Sequence, residues 1–243
     1  MNQQENPIKP ENAIGHDLSA AERDTYEVVD RSQKEQLSAQ DVKEHWIARA
    51  KREGVQAVMS ARHTVEENER ATAELQKEIL EFISGLFEDK RVFEFGVGVG
   101  RMTAVLAEKA KEVLGIDMTP EMIEKAKKNL ENLKNIQLLV GKITEADLPA
   151  GNYDLVFESI VLLHITNPQE LKETVEKLKT LSGRIFIVEH TFDPQNPDLP
   201  SSKFSIFRKP EEYAELFKPY QMVKQKDTRC AGDRFTMMLF EKV

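Results

Sequence analysis

The sequence predicts an α/β protein built on a parallel, doubly wound sheet and preceded by a helical segment. Three observations carry that expectation. After Lys90, short apolar runs alternate with helical stretches, the rhythm of strand–helix–strand units. A glycine-rich turn, Gly96-Val97-Gly98-Val99-Gly100, joins the first run to its helix. The last two runs are separated only by Cys230-Ala231-Gly232-Asp233, too short for a crossover, so those strands must pair antiparallel. A chain of 243 residues, 40% hydrophobic and 31% charged, can bury a full core without disulfides or a structural metal.

The elements follow in order. Met1 to about Ala20 is polar, with Pro7 and Pro10, and is expected to be loose or to fold only on binding. From Ala20 to about Phe87 proline is absent and only Gly54 and Gly85 interrupt a helical pattern. Val42, Trp46, Ile47 and Ala50 recur at three- and four-residue steps and form one apolar stripe, with Asp41 expected as N-cap. Thr64 with Glu67 fits a capping box for a second helix. That helix turns Leu75, Ile79, Leu80, Phe82 and Ile83 toward a core, and Gly85 is expected to end it. Val92–Phe95, Val113–Asp117 and Ile136–Val140 read as strands, as does Tyr153 to about Leu162; Arg184–Glu189 follows. Helices are expected over Arg101–Ala110, from Thr119 as cap with Pro120 at the first helical position, over Pro168 to Leu181 and over Pro210 to Phe217. The closing hairpin spans Gln221–Arg229 and Arg234–Glu241.

Composition excludes several classes. Lysine plus arginine is 34 against 42 aspartate plus glutamate, a net charge of −8, which opposes broad binding to nucleic acid or an anionic membrane. One cysteine, Cys230, allows neither an internal disulfide nor a cysteine-rich zinc site. No apolar run approaches the ~18 residues of a membrane span, and the N-terminus has no signal-peptide core. A cytoplasmic protein is the default expectation.

The glycine turn carries the strongest functional signal. A dinucleotide fingerprint, G-x-G-x-x-G, would need its third glycine at Arg101 or at Thr103, and neither fits. No Lys-Ser or Lys-Thr follows, so the turn is not a P-loop. The pattern found is E-x-G-x-G-x-G, Glu94 to Gly100, which lets the backbone turn sharply and approach a ligand. Asp117 ends the second strand, where a carboxylate offers two acceptors to the two hydroxyls of a ribose; the alternative is a turn residue or a cap.

These motifs resemble the class I S-adenosylmethionine-dependent methyltransferases over roughly Phe87 to Val243. The likeness rests on Glu94–Gly100, on Val-Leu-Gly-Ile-Asp, on Tyr-Asp-Leu-Val-Phe in the fourth strand, on Leu-Leu-His-Ile after it, and on the closing hairpin. It implies a Rossmann-like seven-stranded sheet in the order 3-2-1-4-5-7-6, strand 7 antiparallel, with helices on both faces. Residues 1–87 would then be a flexible N-terminus and helical lid, and 88–243 the cofactor-binding domain. The resemblance implies that Glu94, Gly96 and Gly98, with Gly100 in the same turn, line the methionine end of S-adenosylmethionine. It also implies that Asp117 holds the ribose, that Met118 packs on adenine and that Ile143 contacts it. Many relatives carry an acid just after strand three; here Lys142 stands in its place and cannot accept the adenine amino group's bond, leaving Asp147 as a substitute.

Methyl transfer needs in-line positioning and, for some acceptors, removal of a proton. The ionisable groups expected at the carboxyl ends of strands four and five are Glu158, His164, Glu189 and His190. Each has a structural alternative: His164 as a packed side chain, Glu158 as a cap or a cofactor contact. Their spacing matches no metal motif. Trp46 and Arg49 share a helix face and are expected to close over a carboxylate of the cofactor or the substrate, with core tryptophan and surface arginine as the alternative. Arg62-His63 and Tyr26 are weaker candidates of that kind. The proline-marked segment Thr191–Phe207, with Lys203, Arg208 and Lys209 in or beside it, is expected to rim the acceptor pocket.

The leading expectation is a methyltransferase acting on an oxygen or nitrogen of a small molecule or glycan. Protein or peptide methylation, a polyamine-synthase-like transfer and a non-catalytic cofactor-binding module are the alternatives. Glu158 without an adjacent acid counts against the polyamine type, and the lack of an Asn-Pro-Pro-Tyr-type motif counts against nucleobases.

Overall fold

The computed structural model describes residues 30–60, 63–148, 150, 152–199 and 201–243. The expectations for Met1 to Ala20, Tyr26 and Arg62 lie outside the described residues. Three helices come first: α1 (Arg31–Lys34), α2 (Ala39–Arg49) and α3 (Val65–Phe82). Then follow β1 (Arg91–Phe95), α4 (Arg101–Ala107), β2 (Glu112–Asp117), α5 (Pro120–Asn129), β3 (Ile136–Val140) and β4 (Leu155–Ser159). The last elements are α6 (Pro168–Leu181), β5 (Arg184–His190), α7 (Pro210–Leu216), β6 (Gln221–Cys230) and β7 (Asp233–Glu241).

The seven strands lie in the order β3-β2-β1-β4-β5-β7-β6. The first five pair in parallel, and β7 runs antiparallel to both β5 and β6. This is the order that the family resemblance implies. Ala231 and Gly232, at φ 50° and 82°, make the tight turn between β6 and β7, the backbone form that suits a two-residue hairpin.

Alternation along the buried strands divides the core in two. Val92, Phe157, Phe186 and Val188 face α3 and α4, where Leu75, Ile79, Met102 and Leu106 meet them. Phe93, Val156, Ile185 and Ile187 face α6 and α7, packing on Val175, Leu178, Tyr213 and Phe217. A smaller cluster, Ala50, Ala57, Val99 and Met122 with Trp46 and Val58 against it, seats the α2 region on the glycine turn and α5.

Local chemistry explains most element ends, with three corrections. The N-cap of α2 is Ser38 rather than Asp41: Asp41 sits three residues on, and the two exchange hydrogen bonds of 3.1 and 2.9 Å in a capping box. Thr64 and Glu67 form the box expected for α3, but that helix stops at Phe82, ahead of Gly85. Strand β4 ends at Ser159, short of Leu162, because Ile160 takes φ 62°, a left-handed conformation that a β-branched residue rarely adopts and that no strand continues through. A single 3-10 turn, Leu162–His164, follows.

Candidate active site

A cavity of about 130 Å³ opens at the carboxyl ends of β1, β2 and β4. Its floor is the glycine turn. Gly96 has φ 79° and Gly98 φ 54°; a Cβ on Gly96 would collide with Val161, and one on Gly98 would stand 2.8 Å from Val58. Only glycine gives both this backbone and this clearance. Asp117 fixes the turn from the end of β2: Oδ2 accepts from Gly98 N at 2.8 Å and Oδ1 from Thr119 N at 2.9 Å. Burial pushes the Asp117 carboxyl above its usual range, and these two backbone bonds pull the other way.

Glu94 and Arg101 form the inner wall. Glu94 is buried and accepts the Thr103 hydroxyl at 2.5 Å; burial drives its carboxyl up to about 8. Arg101 donates through Nη2 to Ser159 Oγ at 3.1 Å, while its Nη1 is buried with no hydrogen-bond partner. Burial lowers its guanidinium to about 10, opposed by the charges of Glu94 and Glu158. On the opposite side Met118, Ile143 and Lys142 line the cavity, and the Lys142 ammonium pairs with Glu170 of α6 at 3.2 Å.

A second cavity, about 90 Å³, adjoins the first; Trp46, Val58, Ile160 and His164 line both. His164 is held on two sides. Its Nδ1 lies 2.8 Å from the Phe204 carbonyl, which requires the Nδ1–H tautomer and leaves Nε2 as an acceptor. Its ring meets the edge of Trp46 at 4.8 Å. Burial lowers His164 to about 4 and His45, stacked on Phe204 at 4.1 Å, to about 3, so both are neutral at pH 7. Deeper in, Asp233 lies 3.1 Å from His63 Nε2 and 4.0 Å from His190 Nδ1, and His190 stacks on Phe207 at 3.9 Å. Among the described residues no group of three or more His, Cys, Asp or Glu is placed to hold a metal ion.

Residues 86–238 match a family model described as a methyltransferase domain, close to two thirds of the chain. This chain belongs to the class I S-adenosylmethionine-dependent methyltransferases. It is 30% identical over 154 residues to phosphoethanolamine N-methyltransferase 3 of Arabidopsis thaliana, a match covering 61% of this chain and 31% of that protein. The methyltransferase thus spans about a third of the length of that curated relative. Among solved structures it resembles phosphoethanolamine N-methyltransferase 1 of Haemonchus contortus, crystallised with phosphoethanolamine and S-adenosylhomocysteine, at TM-score 0.63 and 18% identity, over 89% of this chain and 51% of that one. It also resembles the magnesium protoporphyrin IX methyltransferase of Synechocystis PCC 6803, at TM-score 0.66 and 13% identity, over 85% of this chain and all of that one. At these identities the two structures speak for the fold alone.

The fold brings Glu94, Gly96, Gly98, Asp117, Met118, Lys142, Ile143 and Trp46 to the walls of the first cavity. Gly100 is not there; it precedes α4 and packs toward Leu130. Asp147 is exposed and away from the cavity lining. Arg49 lines the second cavity, and its guanidinium donates to the carbonyls of Gln56 at 3.0 Å, Ala57 at 3.3 Å and Met59, so it braces the turn after α2 rather than closing over the first cavity. Glu158 and Glu189 line neither cavity, contrary to the expectation of a crevice-facing pair; both are fully buried and accept backbone N–H groups of residues 161–163. His164 lines both cavities and His190 only the second.

Arg101, His45, Asp233 and Ile160 escaped the sequence reading. Arg101 follows the last glycine directly, which is a usable signal. Asp233 looked like a hairpin connector, and only the β5–β7 pairing carries it beside His190.

Proposed function

We propose that this methyltransferase moves the methyl group of S-adenosylmethionine to a nitrogen of a small-molecule acceptor seated in the second cavity. One observation carries the reading: the two cavities meet at His164, a neutral imidazole whose tautomer leaves Nε2 as an acceptor at the junction. The first cavity fits the cofactor on this chain's own features. The glycine floor is a cradle that a Cβ would fill, and Asp117 stands where a ribose diol needs acceptors. Arg101, with its orphaned buried Nη1, suits the methionine carboxylate better than Arg49 does. When bound, S-adenosylmethionine supplies an electrophilic sulfonium methyl.

His164 Nε2 accepts a hydrogen bond from the acceptor N–H and so turns the nitrogen lone pair toward the first cavity; lowered to about 4, the imidazole orients the amine and does not keep its proton. Trp46 and Ile160 give the junction apolar walls. In this reading residues 88–243 hold the cofactor, and the helices before residue 88 close the acceptor cavity. The names of the two phosphoethanolamine N-methyltransferases support nitrogen as the accepting atom, and the small volume of the second cavity, about 90 Å³, supports a small acceptor over a peptide or nucleic acid.

The test is label transfer from methyl-labelled S-adenosylmethionine by the purified full chain. It is offered phosphoethanolamine, unphosphorylated primary and secondary amines, small alcohols and carboxylates, and peptides. Label on small amines supports the reading; label confined to peptides, alcohols or carboxylates overturns it.

A further inference from the structure

Glu158 and Glu189 are two fully buried acids that the methyl-transfer reading does not use. They stand near the carboxyl ends of β4 and β5, neighbouring parallel strands in which Ser159 pairs with Val188. Glu158 Oε1 accepts the N–H groups of Val161 and, at 3.3 Å, of Leu162. Glu189 accepts that of Leu163 through both oxygens, at 3.2 and 3.3 Å. From the other side Arg208, 2% exposed, donates Nη1 to the Leu162 carbonyl at 3.0 Å and Nη2 to that of Ile165 at 2.8 Å. Three successive amides and two carbonyls of one short strap are therefore held by three buried charged side chains.

The strap is the wall common to both cavities. It starts at Ile160, held at φ 62°, a conformation that persists in a β-branched residue only when its surroundings over-determine it. It carries Val161, whose side chain closes on Gly96, and it ends beyond His164. We propose that Glu158, Glu189 and Arg208 are positioning residues that hold the Ile160–Ile165 strap in this shape, and that they aim His164 at the junction by doing so.

The chemistry of the cluster gives the proposal a distinctive readout. Two carboxyls buried side by side on neighbouring strands do not both ionise readily. Burial raises both, Glu189 to about 7 and Glu158 well above the usual carboxylate range, and the like charge of Glu189 adds to the rise at Glu158. The charged or titratable groups facing the pair are Arg101 beside Glu158, Arg208 beside Glu189, and the Tyr213 hydroxyl facing both acids. A raised carboxyl stabilises the fold most below its unfolded value, and that contribution is lost as pH rises through the folded value. Glu189 therefore ionises near pH 7 while Glu158 keeps the shared proton, and a further rise in pH that strips Glu158 sets two negative charges against each other under the strap.

The proposal rests on the placement of the acceptor beside His164, but its test does not need an acceptor. Trp46 is the only tryptophan, and it touches His164 edge-on at 4.8 Å, so its emission reports the position of the strap. In the full chain, wild type should show a Trp46 emission change as pH rises from 7 to 10 and the second acid ionises, with fold content steady by circular dichroism. The substitutions Glu158→Gln and Glu189→Gln, each made alone, leave one ionisable acid and should abolish that change. Once an acceptor is known, wild-type kcat should fall about tenfold per pH unit above the transition, as for any state that needs one proton, while the Gln variants stay level. A wild-type emission that does not move overturns the proposal, as does a transition persisting in both variants. If one variant fails to fold, the other and the wild-type titration still decide. Failure to find any methyl acceptor would sink the function proposed above and leave this measurement standing.

Discussion

Substituting Asp117 by Asn tests the cofactor site at its most connected point. Each carboxylate oxygen accepts one backbone N–H, from Gly98 at 2.8 Å and from Thr119 at 2.9 Å. An amide of the same shape has one oxygen and one NH2 group, so one of the two N–H groups must face a donor. A buried polar group left unpaired costs about 1–3 kcal/mol. A ribose that uses the same side chain loses one acceptor as well, and that loss falls on binding. Affinity for S-adenosylhomocysteine, measured by isothermal calorimetry on the full chain, should weaken by roughly 5- to 150-fold, the equivalent of that cost. The melting temperature without ligand should drop by roughly 2–12 °C, since each 1 kcal/mol moves a domain of this size by about 2–4 °C. Unchanged affinity beside a lowered melting temperature would show that Asp117 organises the turn without touching the ligand. Unchanged values of both would refute the hydrogen-bond argument outright.

Other variants probe other links. Gly98→Ala puts a Cβ 2.8 Å from Val58 at φ 54°, and a left-handed non-glycine residue costs about 1–2 kcal/mol, so S-adenosylhomocysteine should bind several-fold more weakly; wild-type affinity would remove the close-approach argument. Because burial lowers His164 to about 4, its imidazole stays neutral well below the usual histidine range, and kcat/KM on a confirmed acceptor should show no loss centred near pH 6.5 that His164→Gln removes. That depressed value also works against the fold in acid: the unfolded chain binds the proton more readily, so this contribution to stability is lost as pH falls from 6.5 toward 4, and His164→Gln should flatten that part of the denaturation profile. Leu75→Ala, at a fully buried position between α3 and the sheet, should cost about 2–5 kcal/mol in urea unfolding and leave cofactor affinity unchanged in the fraction that remains folded.

The sheet was legible because its signals are local or periodic. Apolar runs of strand length, Pro120 and Pro168 at helix starts, and the two-residue link between β6 and β7 are each written within a few neighbouring residues. The first cavity was legible for the same reason, since its floor and its acid belong to one β1–α4–β2 unit. The acceptor side was not. His45 comes from α2, His164 from the strap after β4, Asp233 from β7, and Phe204 and Phe207 from the segment after β5. Nothing in the sequence marks that they meet. Glu158 and Glu189 show the limit most sharply. Their place at strand ends was read correctly, but side-chain direction depends on where the backbone turns next. The turn at Ile160 sends the chain across the two acids, so that they hold backbone amides instead of facing the cavity.

That inversion bears on what the junction can do. A sulfonium centre repels nearby cations, and an amine attacks only as the free base. A wall carrying charged histidines would oppose both. Here the imidazoles at the junction, His45 and His164, are the ones that burial strips of charge, and Trp46 and Phe204 pack beside them. An ammonium at the junction loses hydration without a free carboxylate beside it, because Glu158 and Glu189 are turned away behind the strap and Asp233, in the second cavity, is engaged by His63 at 3.1 Å; its pKa falls toward the free base. The buried acids therefore serve the chemistry by being withheld from it. Replacing Ile160 with Asp would break that arrangement by placing a carboxylate on the wall shared by the two cavities. For an amine acceptor it should tighten binding and slow turnover, because the bound ammonium is then stabilised. Lower KM together with lower kcat would bear this out. A rise in kcat would show that the amine reaches the junction already deprotonated, and that the neutral wall has no part in lowering its pKa.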